Sequence, residues 1–150
     1  MRKNKKGKNK KHNSPKNASL IKDIDINNIV AIDLILKDDY PIFCFKYLSD
    51  VSIKDCSDHS FFFSYLKRLQ QLSELGWDEI RKSDRHSYGM ESIPVNQIKH
   101  RLPVCITNDV KKLHVFRASG NNLPFVGLQV GKVFRVFFIE TNFGDIYDHN

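Results

Sequence analysis

Cysteine is scarce in this chain of 150 residues, which has three: Cys44, Cys56 and Cys105. They stand far apart, with no CxxC pair and no cysteine and histidine at zinc-finger spacing. An odd number at wide spacing argues against a disulfide framework and against the common structural zinc sites. Cys44 and Cys105 lie in apolar runs, where a thiol usually packs as a small hydrophobic group. The cysteines therefore predict a protein of the reducing cytoplasm.

Motifs for several enzyme classes are also missing. The sequence has no Gly-rich phosphate loop, no GxSxG, no HExxH and no paired-carboxylate signature, so the enzymes that depend on them are not indicated. No run approaches the roughly 18 consecutive apolar residues of a membrane span. No apolar stretch follows the basic amino terminus, as it would in a secretory signal. We predict no membrane partner, no cofactor and no metal.

Positive charge is concentrated at one end of the chain. Residues 1–19 carry eight Lys and Arg residues and no acid, whereas the remaining residues hold 16 Lys and Arg against 17 Asp and Glu. A Lys- and Asn-rich segment cannot bury enough apolar surface to offset its ordering entropy. We predict a disordered tail over residues 1–19, which either attracts RNA or another polyanion or only aids solubility.

The remaining residues, 20–150, have the length of a single domain. We predict an α+β fold in which one long helix and short helices pack on a small antiparallel sheet. Two apolar runs in residues 28–48 are separated by KDDYP, which predicts a hairpin, although the first run also fits a short helix. Three further strands are predicted over residues 113–118, 125–130 and 133–140, and the glycine at 131 indicates a tight antiparallel turn between the last two.

The long helix is predicted over residues 57–77, with Ser57 or Asp58 as its cap and Gly76 at its end. Ser92 and Pro94 predict the start of a short helix. Trp77 to Arg81 are expected to add a turn that places the tryptophan on the core. The apolar positions with helical spacing are Phe62, Tyr65, Leu66, Leu69 and Leu72.

Two arginines interrupt apolar strand faces. By alternation, Arg117 shares a face with Val115, and Arg135 shares one with Phe137 and Ile139. A guanidinium keeps its charge, so each arginine either reaches water, pairs with an acid or binds an anionic ligand. Two such forks on neighbouring strands favour a phosphate site.

Titratable side chains collect near the carboxyl terminus. His149 follows Tyr147 and Asp148, and His86 lies in a polar loop with Arg85. An imidazole titrates near neutral pH and can transfer protons, and a neighbouring acid can orient it. The alternatives are a solvated chain end or a metal site formed by the two histidines with Asp148 or Asp145.

The segments 113-LHVFRASG-120 and 133-VFRVFFIE-140, with the predicted order of elements, resemble the RelE and HigB group of toxin domains from bacterial toxin-antitoxin pairs. The resemblance covers residues 58–149. Members of that group typically cut mRNA, often on the ribosome, and are neutralised by a cognate antitoxin. Their arginines and lysines bind phosphate, and a Tyr or His near the carboxyl terminus assists the attack of the ribose 2′-hydroxyl.

The resemblance therefore implies a cytoplasmic, metal-independent endoribonuclease with RNA, the ribosome and an antitoxin as partners. A non-catalytic module that binds a partner protein or nucleic acid is the alternative. The residues implied in catalysis are His149, Tyr147, Arg135 and Arg117. The residues expected to contact RNA are His86, Arg85 and Lys132.

Overall fold

A mixed five-stranded sheet forms the centre of the fold. The computed structural model describes residues 39–54, 58–118 and 123–149. The predicted α+β class is confirmed, whereas the predicted tail and the first run of the predicted hairpin lie outside the described residues. The strands are β1 (Ile42–Cys44), β2 (Glu91–Pro94), β3 (Lys112–Arg117), β4 (Pro124–Val130) and β5 (Val133–Ile139), in the order β1-β5-β4-β3-β2.

The sheet is not purely antiparallel, and the prediction is wrong on this point. Strands β3, β4 and β5 pair antiparallel as expected, and β2, where a helix was expected, pairs antiparallel with β3. Strand β1 pairs parallel to β5, with Ile42 opposite Val133. Parallel neighbours need a long connection, and here the helices and three other strands lie between the two segments. The direction of β1 thus depends on a distant part of the chain.

Two glycines shape the hairpin of β4 and β5. Gly131 has a φ of 60° in the turn, which glycine adopts without strain. At Gly127, where the pairing register shifts, an added Cβ would lie 2.1 Å from the carbonyl oxygen of Arg135. The shift places Phe137 and Phe138 in the same apolar cluster. The predicted strict alternation along β5 is therefore wrong beyond Phe137. A bulge at this point moves each following side chain to the opposite face of the sheet from the one predicted.

Helix α1 (His59–Leu75) forms where predicted, because Asp58 caps its first turn by accepting hydrogen bonds from the backbone N–H groups of Ser60 and Phe61. Its buried face differs slightly from the expected one, since Phe61 is buried and Leu66 is 66% exposed. Helix α2 (Trp77–Lys82) follows and buries Trp77 completely, as predicted.

Residues 91–97 do not begin a helix, contrary to the prediction. Glu91–Pro94 form the edge strand β2, in which Ile93 is buried opposite Leu113, and Val95–Gln97 form a short 3₁₀ turn after it. Proline lacks an N–H group, and an edge strand tolerates this at its end. Pairing with β3 decided the outcome over the local signal of Pro94.

Apolar clusters cover both faces of the sheet. Phe125 belongs to one cluster and its neighbour Val126 to the other, because successive side chains of a strand point to opposite faces. Helices α1 and α2 cover the first face. Residues after β5 cover part of the second face with Ile146 and Tyr147. No helix among the described residues is long and apolar enough to cross a membrane.

Candidate functional site

A polar cleft of about 500 Å³ lies at the β2 edge of the sheet. It is bordered by the loop after α2, by β2, by the end of β3 and by the C-terminal segment, residues 140–149. We call it the cleft. Five of the seven predicted site residues line it: Arg85, His86, Arg117, Tyr147 and His149.

Arg135 and Lys132 lie away from the cleft. Arg135 is opposite Leu128 in β4, whereas Arg117 is opposite Pro124. These two positions of β4 are four residues apart, which is about 13 Å at roughly 3.3 Å per residue. Lys132 is in the hairpin turn, where its carbonyl oxygen accepts a hydrogen bond from the indole of Trp77. The expectation that Arg135 converges with Arg117 on one site is therefore wrong.

A buried carboxylate positions His149. Glu140 follows β5 and has no solvent exposure. Its Oε2 lies 2.5 Å from Nε2 of His149, and its Oε1 accepts a hydrogen bond of 3.0 Å from the backbone N–H of Ile146. The carboxyl group of Glu140 thus contacts both the ring of His149 and the backbone of the segment that precedes His149. A polar group that is buried in this way needs such partners to be tolerated.

The C-terminal segment is anchored to residues 98–100. Tyr147 forms a β-bridge with Ile98, and the backbone N–H of Lys99 donates to the carbonyl oxygen of Ile146 at 2.9 Å. The ammonium of Lys99 lies 2.5 Å from Asp148. The alternative of a solvated, frayed end does not apply to His149, whose side chain is 10% exposed.

Two aromatic rings enclose the imidazole of His149. The ring centre of Phe143 lies 4.1 Å from that of His149, and the ring centre of Tyr147 lies 4.3 Å away. Phe143 is in the turn after β5 and Tyr147 is in the bridge with Ile98. Together with Glu140, these contacts restrict the orientation of the imidazole, which a proton acceptor requires.

Tyr147 is held in its neutral form. The residue is 4% exposed. Burial, with a smaller effect of the carboxylate of Glu91, raises the pKa of Tyr147 to about 12. A phenol with this pKa keeps its proton at neutral pH. In the cleft Tyr147 can therefore donate a proton or a hydrogen bond, but it does not serve as a base.

The stability of the protein is expected to fall between pH 10 and pH 12 partly because of Tyr147. Its pKa is about 12 in the folded chain against 10.0 for an ordinary tyrosine, so the unfolded chain loses this proton first. The stabilisation is complete below pH 10 and is lost as the pH rises to 12, by up to about 3 kcal/mol.

Urea unfolding at about pH 9 and about pH 11, performed on the wild type and on Tyr147→Phe, measures this effect. The variant should lose less stability than the wild type over this interval. The difference between the two proteins is the relevant quantity, because burial also raises the pKa of Tyr65. Equal losses would contradict a buried phenol at position 147.

Two arginines of the cleft share one carboxylate. Glu91 at the start of β2 contacts Nη1 of Arg85 at 3.0 Å and Nη2 of Arg117 at 3.4 Å. The Nε group of Arg85 also donates to Nε2 of His86 at 3.2 Å. Two guanidinium groups therefore line one wall of the cleft, with a single acid between them.

Arg68 of helix α1 forms hydrogen bonds with the backbone of the two segments that carry these arginines. Its Nε donates to the carbonyl oxygen of Arg117 at 3.2 Å, and its Nη2 donates to the carbonyl oxygen of Ser87. Its guanidinium also lies 4.3 Å from the ring centre of Tyr88. One side chain thus connects the end of β3 with the loop that carries Arg85.

The metal alternative finds no geometric support. In residues 39–54, 58–118 and 123–149, no group of three or more His, Cys, Asp or Glu side chains could hold a metal ion. His149 is instead paired with Glu140.

Three residues were not predicted as site residues: Glu91 and Phe143, which line the cleft, and Glu140, which is buried against His149. Glu140 carries a signal, since it is a carboxylate directly after an apolar strand and nine residues before a histidine. Glu91 shares a polar loop sequence with Arg85, but its contact with Arg117 depends on strand pairing. The position of Phe143 beside His149 has no local signal.

In comparisons with known proteins, no family model, no curated protein and no solved structure matches the chain. The resemblance to RelE and HigB toxins remains a prediction.

Proposed function

We propose that the cleft binds RNA and cleaves its backbone without a metal ion, so that the protein is an endoribonuclease. The observation that carries this proposal is the buried Glu140 and His149 pair beside two arginines that line the same cleft. A positioned base and cationic donors are the groups that ribose-assisted cleavage of a phosphodiester needs.

His149 is the proposed base. A carboxylate at 2.5 Å from Nε2 favours the tautomer that carries its proton on this nitrogen. Nδ1 is then left to accept the proton of the ribose 2′-hydroxyl. Glu140 stabilises the imidazolium that forms, as the acid of a catalytic triad does.

The phosphate is bound by arginine and its leaving group is protonated by tyrosine. The 2′-oxygen attacks phosphorus, and Arg85 and Arg117 stabilise the negative charge of the pentavalent phosphorane. The bond from phosphorus to the 5′-oxygen then breaks, and this oxygen takes the proton of the neutral Tyr147 phenol. The products are a 2′,3′-cyclic phosphate and a 5′-hydroxyl, and a proton passes from His149 to Tyr147 through solvent to restore both groups.

The second candidate function is a non-catalytic binding module. It is favoured by the charges around the cleft, where Glu91 and Asp148 balance the two arginines. Such a lining can bind a polar peptide or a partner protein. This candidate predicts binding through the cleft without turnover.

The cellular setting of the proposed activity follows from the resemblance to RelE and HigB toxins. In that setting the substrate is mRNA, the ribosome presents it and a cognate antitoxin blocks the cleft. These partners stay predictions. Expression of the intact chain with and without the protein from the adjacent reading frame would test them through growth and mRNA integrity.

Arginine variants in and outside the cleft test the proposed activity. Arg117→Met should lower the rate of cleavage of a single-stranded RNA by about 100-fold, because removing one donor to developing charge typically costs this much. Arg135→Met should retain the wild-type rate, since Arg135 lies about 13 Å further along the sheet. The measurement is the appearance of 2′,3′-cyclic phosphate ends.

This pair of variants is matched. Both remove one guanidinium from a β-strand, and both keep any attraction between residues 1–19 and RNA. Wild-type protein that forms no cyclic phosphate, with or without ribosomes, would exclude the nuclease and favour the binding module. Equal losses in the two variants would show that charge, and not position in the cleft, affects cleavage.

A further inference from the structure

Phe143 is a large apolar side chain that remains exposed at the cleft. Its relative exposure is 64%, although it lies in a turn between the buried end of β5 and the buried Ile146. It lines the same cleft as Arg117 and His149. The face of an exposed aromatic ring can stack on another flat ring.

The ring of Phe143 is held in place on one side. It stacks on the imidazole of His149 with 4.1 Å between the ring centres and 24° between the planes. Glu140 in turn fixes that imidazole. The exposed surface of Phe143 is therefore presented by a supported ring, which lowers the entropy lost when a second ring stacks on it.

We propose that Phe143 stacks on a base of single-stranded RNA whose neighbouring phosphate contacts Arg117. This inference rests on the proposed function, since it specifies the substrate of the same cleft as an unpaired strand. Bases within a duplex already stack on one another, so only an unpaired base can use the ring. The site accepts all four bases, because each base has a π face.

Polar side chains of the same cleft suit the edge of a base. Ser92 and Gln97 line the cleft with Phe143. A hydroxyl and an amide both donate and accept hydrogen bonds. They can therefore form hydrogen bonds with the edges of different bases. This agrees with a site that recognises an unpaired strand with little preference for its base sequence.

The test compares two non-cleavable RNA probes on the full-length protein. Both are short labelled single strands with 2′-O-methylribose at each position, which blocks the attacking hydroxyl. One strand carries bases and the other is abasic. By fluorescence anisotropy, the wild type should bind the strand with bases about tenfold more tightly than the abasic strand, as stacking on one aromatic residue predicts.

Phe143→Ala should abolish this preference while its affinity for the abasic strand stays unchanged, and Phe143→Trp should keep or increase the preference. Phe63→Ala is the matched control, because Phe63 is 72% exposed on helix α1 and does not line the cleft. Its preference should equal that of the wild type. Unchanged abasic binding in Phe143→Ala also shows that the phosphate contacts persist without the ring.

The proposal is overturned if the wild type binds both strands equally or binds neither, or if Phe143→Ala retains the preference. These results are separate from those for cleavage. A preference that depends on Phe143 in a protein that never cleaves RNA would support the base site and exclude the nuclease. Cleavage without any preference for bases would support the nuclease and exclude the base site.

Discussion

Replacing His149 with alanine is expected to lower the rate of RNA cleavage by about 10²- to 10⁴-fold, the range that general base catalysis contributes. The effect should be the largest of any single change in the cleft, because His149 is the proposed base and is itself oriented by the buried carboxylate of Glu140. The rate is measured on the folded protein as the appearance of 2′,3′-cyclic phosphate ends. His59→Ala is the matched control, since His59 is exposed at the start of α1.

The loss of His149 also removes a partner of a buried carboxylate, so folding has to be checked before the rates are compared. The variant should keep the far-UV circular dichroism of the wild type at the assay temperature. His149→Ala that is folded and cleaves at the wild-type rate would disprove the role of this histidine as the base. Equal losses in His149→Ala and His59→Ala would point to a nonspecific effect.

Glu140→Ala is expected to lower the free energy of unfolding by about 3 kcal/mol. The side chain has no solvent exposure and holds both the backbone N–H of Ile146 and the ring of His149. The alanine leaves the N–H group of Ile146 and the ring nitrogen of His149 without a partner, and each unsatisfied buried donor typically costs about 1–3 kcal/mol. Urea unfolding followed by tryptophan fluorescence measures the change, since Trp77 is buried in the core.

Two further glutamate variants help to interpret this result. Glu74→Ala, on the exposed surface of α1, should change stability by less than about 0.5 kcal/mol. Glu140→Gln should be less harmful than Glu140→Ala, because an amide oxygen can still accept from Ile146. A loss below about 1 kcal/mol for Glu140→Ala would mean that the C-terminal segment does not depend on this carboxylate.

Features that depend on local order were predictable from the sequence. Helix α1 begins after Asp58 and ends before Gly76 because a capping carboxylate, helical spacing of apolar residues and a terminal glycine lie within one continuous segment. Strands β4 and β5 were also predictable, because the two strands and their turn at Gly131 lie within one continuous segment. Near Pro94 the local signal was wrong, because pairing with β3 outweighed it.

The candidate site was predictable in part. The sequence indicated that Arg117, Tyr147 and His149 belong together, and all three line the cleft. It could not separate Arg117 from Arg135, since both interrupt apolar strands in the same way. Their positions differ because the register of β4 against its two neighbours places them at different levels of the sheet.

The sequence by itself determined helix α1, the last three strands of the sheet and the presence of titratable groups near the carboxyl terminus. Only the tertiary structure decided that β1 runs parallel to β5, that Glu140 is buried against His149 and that Glu91 lies between two arginines. The physical reason is the range of the interactions. Caps, turns and periodicity act over a few neighbouring residues, whereas burial, strand register and charge pairing depend on segments that meet only when the chain has folded.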